Sequence, residues 1–162
     1  MKSAFPILPI ALLLSALSCS PGEQVIRVQY LKTECGYCKM LFQDRAFGAE
    51  MELGTDSVLV FDATECLAAY MISNRVRPPL VRKIWSVDYS RPTILIDARE
   101  AFYIRSDKLL SPMGVNVAAF GSKAESDSAY TRIGGDRMNW PEVVSLVRRV
   151  WFQNRADPDS LR

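Results

Sequence analysis

The sequence predicts an α+β domain made from a strand-strand-helix-strand unit used twice. Two observations carry that expectation. A strand pair ending on an aromatic, then a capping-box pattern, then a helix occurs once through Phe61 and Asp62-Ala63-Thr64-Glu65, and again through Phe120 and Ser122-Lys123-Ala124-Glu125. With 162 residues, 49% hydrophobic and 23% charged, the chain has the size and balance of one globular domain, or of two half-units sharing a core. The helix sequences of the halves barely agree, so the order of elements carries the duplication.

Residues 1–18 have the pattern of an export signal: Lys2 gives a positive start, residues 4–17 are nearly all apolar, and small residues follow. The run is shorter than the about 20 apolar residues a membrane span needs, and Pro6 and Pro9 weaken a long helix. Ser15-Ala16-Leu17-Ser18-Cys19 resembles a lipobox, which makes Cys19 the expected lipidation site and residues 19–24 a lipidated tether. Several acyl chains would hold such a protein on a membrane face. With Ser20 after the cysteine, the expected location is a membrane facing the periplasm or the cell exterior, the outer membrane where there is one.

The domain proper is expected over residues 25–153, divided at about residue 90 into half-units 25–90 and 91–153. Residues 25–31 alternate as a first strand and lead into Cys35. Residues 49–53 and 57–61 form a strand pair turning at Gly54-Thr55-Asp56. Asp62 is expected to cap the next helix, with Glu65 reaching back. That helix runs to about Ser73, its apolar stripe being Ala63, Cys66, Leu67, Tyr70 and Met71; Asn74 and Pro78-Pro79 end it. Residues 83–89 and 93–105 are the next strands. Ser111-Pro112-Met113-Gly114 is a turn, and residues 115–120 are a strand. Asn139-Trp140-Pro141-Glu142 opens the last helix, whose buried stripe is Trp140, Val143, Val144, Val147, Val150 and Trp151. Residues 154–162 read as a flexible tail.

The chemistry centres on Cys35-Gly36-Tyr37-Cys38-Lys39-Met40. Two thiols two residues apart can act as a dithiol-disulfide couple or share a metal. A nearby thioether favours a soft cation, copper(I) above all. The chain has no histidine, which removes imidazole ligation and any Cys-His catalytic pair. Without Cys19 three cysteines remain, Cys35, Cys38 and Cys66, an odd number that argues against a simple disulfide scaffold. Zinc is disfavoured because a closed tetrahedral site draws four Cys or His ligands. A net charge of +2, evenly spread, gives no reason to expect nucleic acid as a partner.

Each sulfur has a bland reading beside the ligand reading. Met40 can be core filler, yet in an extended segment it would share a side with Cys38. Met113 sits on a turn tip, a poor place to bury a flexible apolar side chain, or folds back onto the core. Cys66 is either an inert core thiol or, from its place in a first helical turn, a ligand. The competing function is a thiol-disulfide oxidoreductase with Cys35 attacking and Cys38 resolving. A thioredoxin-type site should begin a sustained helix at its first cysteine, and Gly48 leaves little room for one.

The chain resembles the NosL family of copper-binding lipoproteins that serve nitrous oxide reductase. The resemblance is carried by the lipoprotein-like start, the C-x-x-C-x-M of residues 35–40, residues 97–106, Ser111-Pro112-Met113-Gly114 with Ala118-Ala119-Phe120, Phe61-Asp62 before Cys66, and Gly134-Gly135 through Trp140-Pro141-Glu142. It implies paired strand-strand-helix-strand units similar to the organomercurial lyase architecture. It also implies a non-enzymatic carrier that takes Cu(I) to nitrous oxide reductase or another exported copper enzyme, beside a membrane transporter complex. By position Cys38, Met40 and Met113 match the expected ligands, with Cys35 added. Some members use a histidine that this chain lacks, a place Cys35, Cys66 or a partner's side chain would fill.

Overall fold

The computed structural model describes residues 24–73 and 77–153. The expected signal peptide, the Cys19 lipidation site, the tether apart from Gln24, Asn74 and the tail lie outside the described residues. In chain order the elements are β1 (Gln24–Val25), β2 (Ala49–Leu53), β3 (Val58–Phe61), α1 (Thr64–Ile72), β4 (Val81–Val87), β5 (Ile94–Asp97), β6 (Phe102–Arg105), β7 (Val117–Phe120), α2 (Lys123–Ile133), β8 (Asp136–Met138) and α3 (Trp140–Arg148). One 3₁₀ turn, Pro78–Leu80, precedes β4, and a π turn, Arg149–Gln153, follows α3.

The mixed α/β fold has two sheets whose strand pairs are all antiparallel. One has the order β1-β5-β4-β2-β3 and the other β7-β6-β8. The repeat is visible in this order. In β2-β3-α1-β4 and again in β6-β7-α2-β8, the strand after the helix returns to pair with the first strand of the unit. The five-stranded sheet takes in β5, which lies beyond residue 90, so the two sheets part between β5 and β6.

That parting has a local cause. The sequence pattern indicates one strand over residues 93–105, but the Asp97 carboxylate accepts the N–H of Arg99 at 2.9 Å, and the Asp97 carbonyl accepts Glu100 N–H at 3.1 Å. This Asx-type turn breaks the strand and redirects the chain from one sheet to the other. The sheets meet again where Tyr89 N–H reaches the Ala119 carbonyl at 2.8 Å. A buried chain of hydroxyls also crosses between them: Thr64 Oγ1 to Ser86 Oγ at 3.1 Å, Ser86 Oγ to Tyr103 Oη at 3.2 Å, and Tyr103 Oη to the Ala98 carbonyl at 2.7 Å.

Helix α1 departs from its expected pattern. In place of a one-sided stripe, every residue from Thr64 to Ala69 is buried, because the helix packs against both sheets and α3. Its capping box does not form. The N-cap is Ala63, with no side-chain bond, because Asp62 instead accepts Gln43 N–H at 2.9 Å and Glu65 faces Ser111. At α2 only half of the expected box forms, since Ser122 accepts Glu125 N–H at 3.2 Å while the Glu125 carboxylate takes the Ser122 hydroxyl in place of its N–H, and at α3 Asn139 and Glu142 make the full reciprocal box. In α3 Trp140, Val143 and Val147 are buried, but Val150 is exposed because the chain enters the π turn there.

The first strand is shorter than expected. After Val25 the chain turns: Leu31 lies at φ 58°, and Gln29 N–H bonds Thr33 Oγ1 at 2.8 Å. The chain then forms a small hairpin over residues 31–42, whose tip carries Cys35 and Cys38.

Candidate metal centre

The hairpin is closed by Leu31 N–H to the Phe42 carbonyl at 3.0 Å, Phe42 N–H to the Thr33 carbonyl at 2.8 Å, and an antiparallel bridge between Glu34 and Leu41. Phe42, fully buried beside Ile26, Trp85, Val87 and Leu95, pins the outgoing arm into the core. At the tip Cys35 N–H bonds the Met40 carbonyl at 2.8 Å and Lys39 N–H bonds the Cys35 carbonyl at 3.2 Å. Lys39 takes φ 66°, a left-handed conformation that costs a lysine roughly 1 kcal/mol.

The segment is therefore a turn, and the alternation expected to put Cys38 and Met40 on one side does not operate. Cys35 is buried and Cys38 half-buried, while Met40 is 41% exposed. Gly36 is needed at the tip. Its N–H bonds the Val60 carbonyl at 2.8 Å, and a Cβ there would lie 3.2 Å from the Phe61 ring. This contact docks the tip on the end of β3, directly before α1.

Docking brings in the third cysteine. Cys66 sits in the first turn of α1, and the sulfurs of Cys35, Cys38 and Cys66 all lie within 4.8 Å of one another. None is in a disulfide. Both readings of Cys66 meet in its first-turn position, which buries it and brings its sulfur to the other two.

The electrostatics of the cluster are uneven. The Cys66 thiol hydrogen-bonds the Cys35 sulfur, which is also approached by the backbone N–H groups of Asp62, Cys38 and Tyr37; against the opposing effect of burial, these hold the Cys35 thiol down at about 5. The Tyr37 contact is 3.5 Å long. Being that donor, and being buried, pushes the Cys66 thiol far up. Burial also pushes Cys38 up, and its interactions with Cys35 add to this. One thiolate between two thiols could receive a soft cation, whose binding would displace the remaining protons.

The donor set fits such an ion. Three thiolates at about 2.3 Å, the length of a zinc-thiolate bond, around a trigonal ion would stand about 4 Å apart, inside the 4.8 Å spread.

Met113 belongs to the second unit. It is half-buried and packs against the core cluster that contains Cys35 and Cys66, as well as a second cluster around Ile104 and Phe120. Its turn forms as the sequence indicates, with Gly114 N–H on the Ser111 carbonyl at 3.0 Å and Gly114 at φ 74°.

Two acidic residues whose spacing indicates helix caps belong instead to the site's surroundings. Asp62 presents its N–H to Cys35, and Glu65 reaches the Met113 turn. The sequence signal is their adjacency to Cys66 in a buried helix start.

The NosL family model matches residues 30–147. Among solved structures, the crystal structure of the copper chaperone NosL from Shewanella denitrificans superposes with a TM-score of 0.57 at 22% identity, over 75% of this chain and 96% of that chain. Comparison with the curated proteins found no match.

Proposed function

Since the chain belongs to the NosL family, we propose that it is a Cu(I) carrier that works outside the cytoplasm and has no catalysis of its own. The observation that carries this reading is the convergence of Cys35, Cys38 and Cys66 within 4.8 Å. Copper(I) accepts two or three sulfurs and prefers thiolate and thioether donors. The candidate donors are the thiolates of Cys38 and Cys35 from the hairpin and of Cys66 from α1, and the thioethers of Met40 and Met113, and the ion is held by a subset of them at a time.

Release uses the same donors. Cys38 and Met40 lie toward the surface, so an acceptor's sulfur can replace them one at a time while Cys35 and Cys66 still hold the ion. The recipient in this reading is nitrous oxide reductase or another exported copper enzyme, with a membrane transporter complex passing copper on. Lipidation at Cys19 would anchor the carrier on a membrane facing the periplasm or cell exterior. The paired units support the proposed likeness to the organomercurial lyase architecture.

A thiol-disulfide oxidoreductase is the second reading, favoured by the acidity of the Cys35 thiol, held down at about 5. Against it, residues 36–38 form a turn and no helix starts at Cys35. The third sulfur also has no part in a two-thiol exchange.

Anaerobic Cu(I) titration separates the two. The carrier binds one ion per protein, with binding lost or greatly weakened in Cys38→Ala and weakened in Met113→Ala. Insulin reduction that survives Met40→Ala and Met113→Ala, together with tight copper binding by Cys38→Ala, would give the enzyme reading the lead.

A further inference from the structure

Glu65 is fully buried one residue before Cys66, and it accepts a hydrogen bond from the Ser111 hydroxyl. Leaving a carboxylate in the interior is costly unless its contacts are needed. Ser111 opens the Ser111-Pro112-Met113-Gly114 turn and also braces it. Its N–H donates to Asn116 Oδ1 at 3.2 Å, and its hydroxyl oxygen accepts Asn116 N–H at 2.9 Å. Asn116 holds φ 65°, a second left-handed residue that fixes the turn's exit beside Gly114. The turn is thus a stiff unit, and its bond to the first unit falls beside a cysteine of the cluster.

We propose that Glu65 is a positioning residue for the metal site, gripping Ser111 so that the Met113 thioether stays within reach of Cys35, Cys38 and Cys66. One ion is then shared by both units. This rests on the copper reading above and adds to it the residue that holds the distant ligand. A bond serving only to join the units would stabilise the fold without changing what the metal sees.

The test is X-ray absorption on the Cu(I)-loaded full chain, counting sulfur neighbours, with chelator competition for affinity. The set is wild type, Met113→Leu, Glu65→Ala, Ser111→Ala and the Met113→Leu/Glu65→Ala double variant. Each single variant is expected to lose the same sulfur neighbour; Glu65→Ala and Ser111→Ala should weaken copper binding roughly 10- to 100-fold, the usual effect of removing a group that orients a ligand, and Met113→Leu, which removes the ligand itself, at least as much. The double variant should lose no more than Met113→Leu alone. If Met113→Leu loses a sulfur while Glu65→Ala and Ser111→Ala keep the wild-type count, the positioning role is wrong and the copper reading stands. Ser111→Ala keeps the test decisive where Glu65→Ala does not fold. If Met113→Leu changes nothing, there is no ligand to position and the proposal falls. If the wild type takes up no copper, the copper reading falls with it.

Discussion

The sulfurs of Cys66 and Cys35 stand within 4.8 Å of one another, linking the first turn of a helix to the tip of a hairpin. The Cys66 thiol is the largest influence lowering Cys35 to about 5, ahead of the three backbone N–H groups around it. Burial and the neighbouring sulfurs raise Cys38 and Cys66 in turn, so one thiolate, on Cys35, is the expected state of the metal-free cluster at neutral pH. A thiolate-absorbance titration of reduced, metal-free protein should show a first step near pH 5. In Cys66→Ala that step should move up toward the ordinary thiol value of 9.0. A step that stays put would assign the effect to the backbone amides alone.

Gly36 sets where the hairpin tip sits. Valine there would press on the Phe61 ring and the Val60 carbonyl, which a single added Cβ already approaches to 3.2 and 3.3 Å. Relief requires the tip to lift away from β3, carrying Cys35 and Cys38 from Cys66. Overpacking of this kind costs about 1–3 kcal/mol. Gly36→Val should lower the thermal midpoint and weaken Cu(I) binding, with Gly36→Ala milder in both. Wild-type affinity in a destabilised Gly36→Val protein would show that this contact does not set the site.

How far the sequence reveals this site depends on which interactions are local. The hairpin β2-β3, the caps at Ser122 and Asn139 and the turn at Gly114 depend on neighbours in the chain, and they form where the residues indicate. Asp62 and Glu65 have the same capping pattern, yet partners far along the chain, Gln43 and Ser111, take their carboxylates. The strand expected over residues 93–105 breaks at Asp97 because a side chain there satisfies the backbone locally. Cys66 is ambiguous in the sequence since burial and ligation place the same demand on a helix face. What the sequence does not show is the docking of the Gly36 tip on β3, which brings the Cys35 and Cys38 sulfurs to Cys66.

The far side of the tip is held by Tyr37, whose ring stacks on Trp151 with centroids 6.0 Å apart and planes 6° from parallel. Trp151 lies in the π turn after α3, so the C-terminal end of the described fold steadies the cysteine loop. Such a pair contributes about 0.5–1.5 kcal/mol beyond the area it buries. Trp151→Ala should raise hydrogen exchange at the amides of residues 36–40 and leave α2 unchanged. Unchanged protection at the tip would show that the stacking does not steady the loop.

Glu65 should also give the fold a measurable pH dependence. Complete burial pushes its carboxyl from 4.5 up to about 7, partly offset by the Ser111 hydroxyl and nearby backbone amides. The folded chain thus binds this proton more tightly than the unfolded chain. The resulting stabilisation is fully present below pH 4.5 and is lost as pH rises through about 7, a swing of roughly 3 kcal/mol. Cys35, held down at about 5, acts in the opposite sense: its contribution is present above its ordinary 9.0 and lost as pH falls through about 5. Comparing wild type with Glu65→Gln removes the Cys35 contribution, since both proteins carry it. Urea unfolding of the two metal-free proteins from about pH 4 to about pH 9 should show the wild type losing stability relative to the variant across that interval. A constant difference would mean that Glu65 ionises in the folded protein at its ordinary value, and that the Ser111 bond is made by a carboxylate throughout.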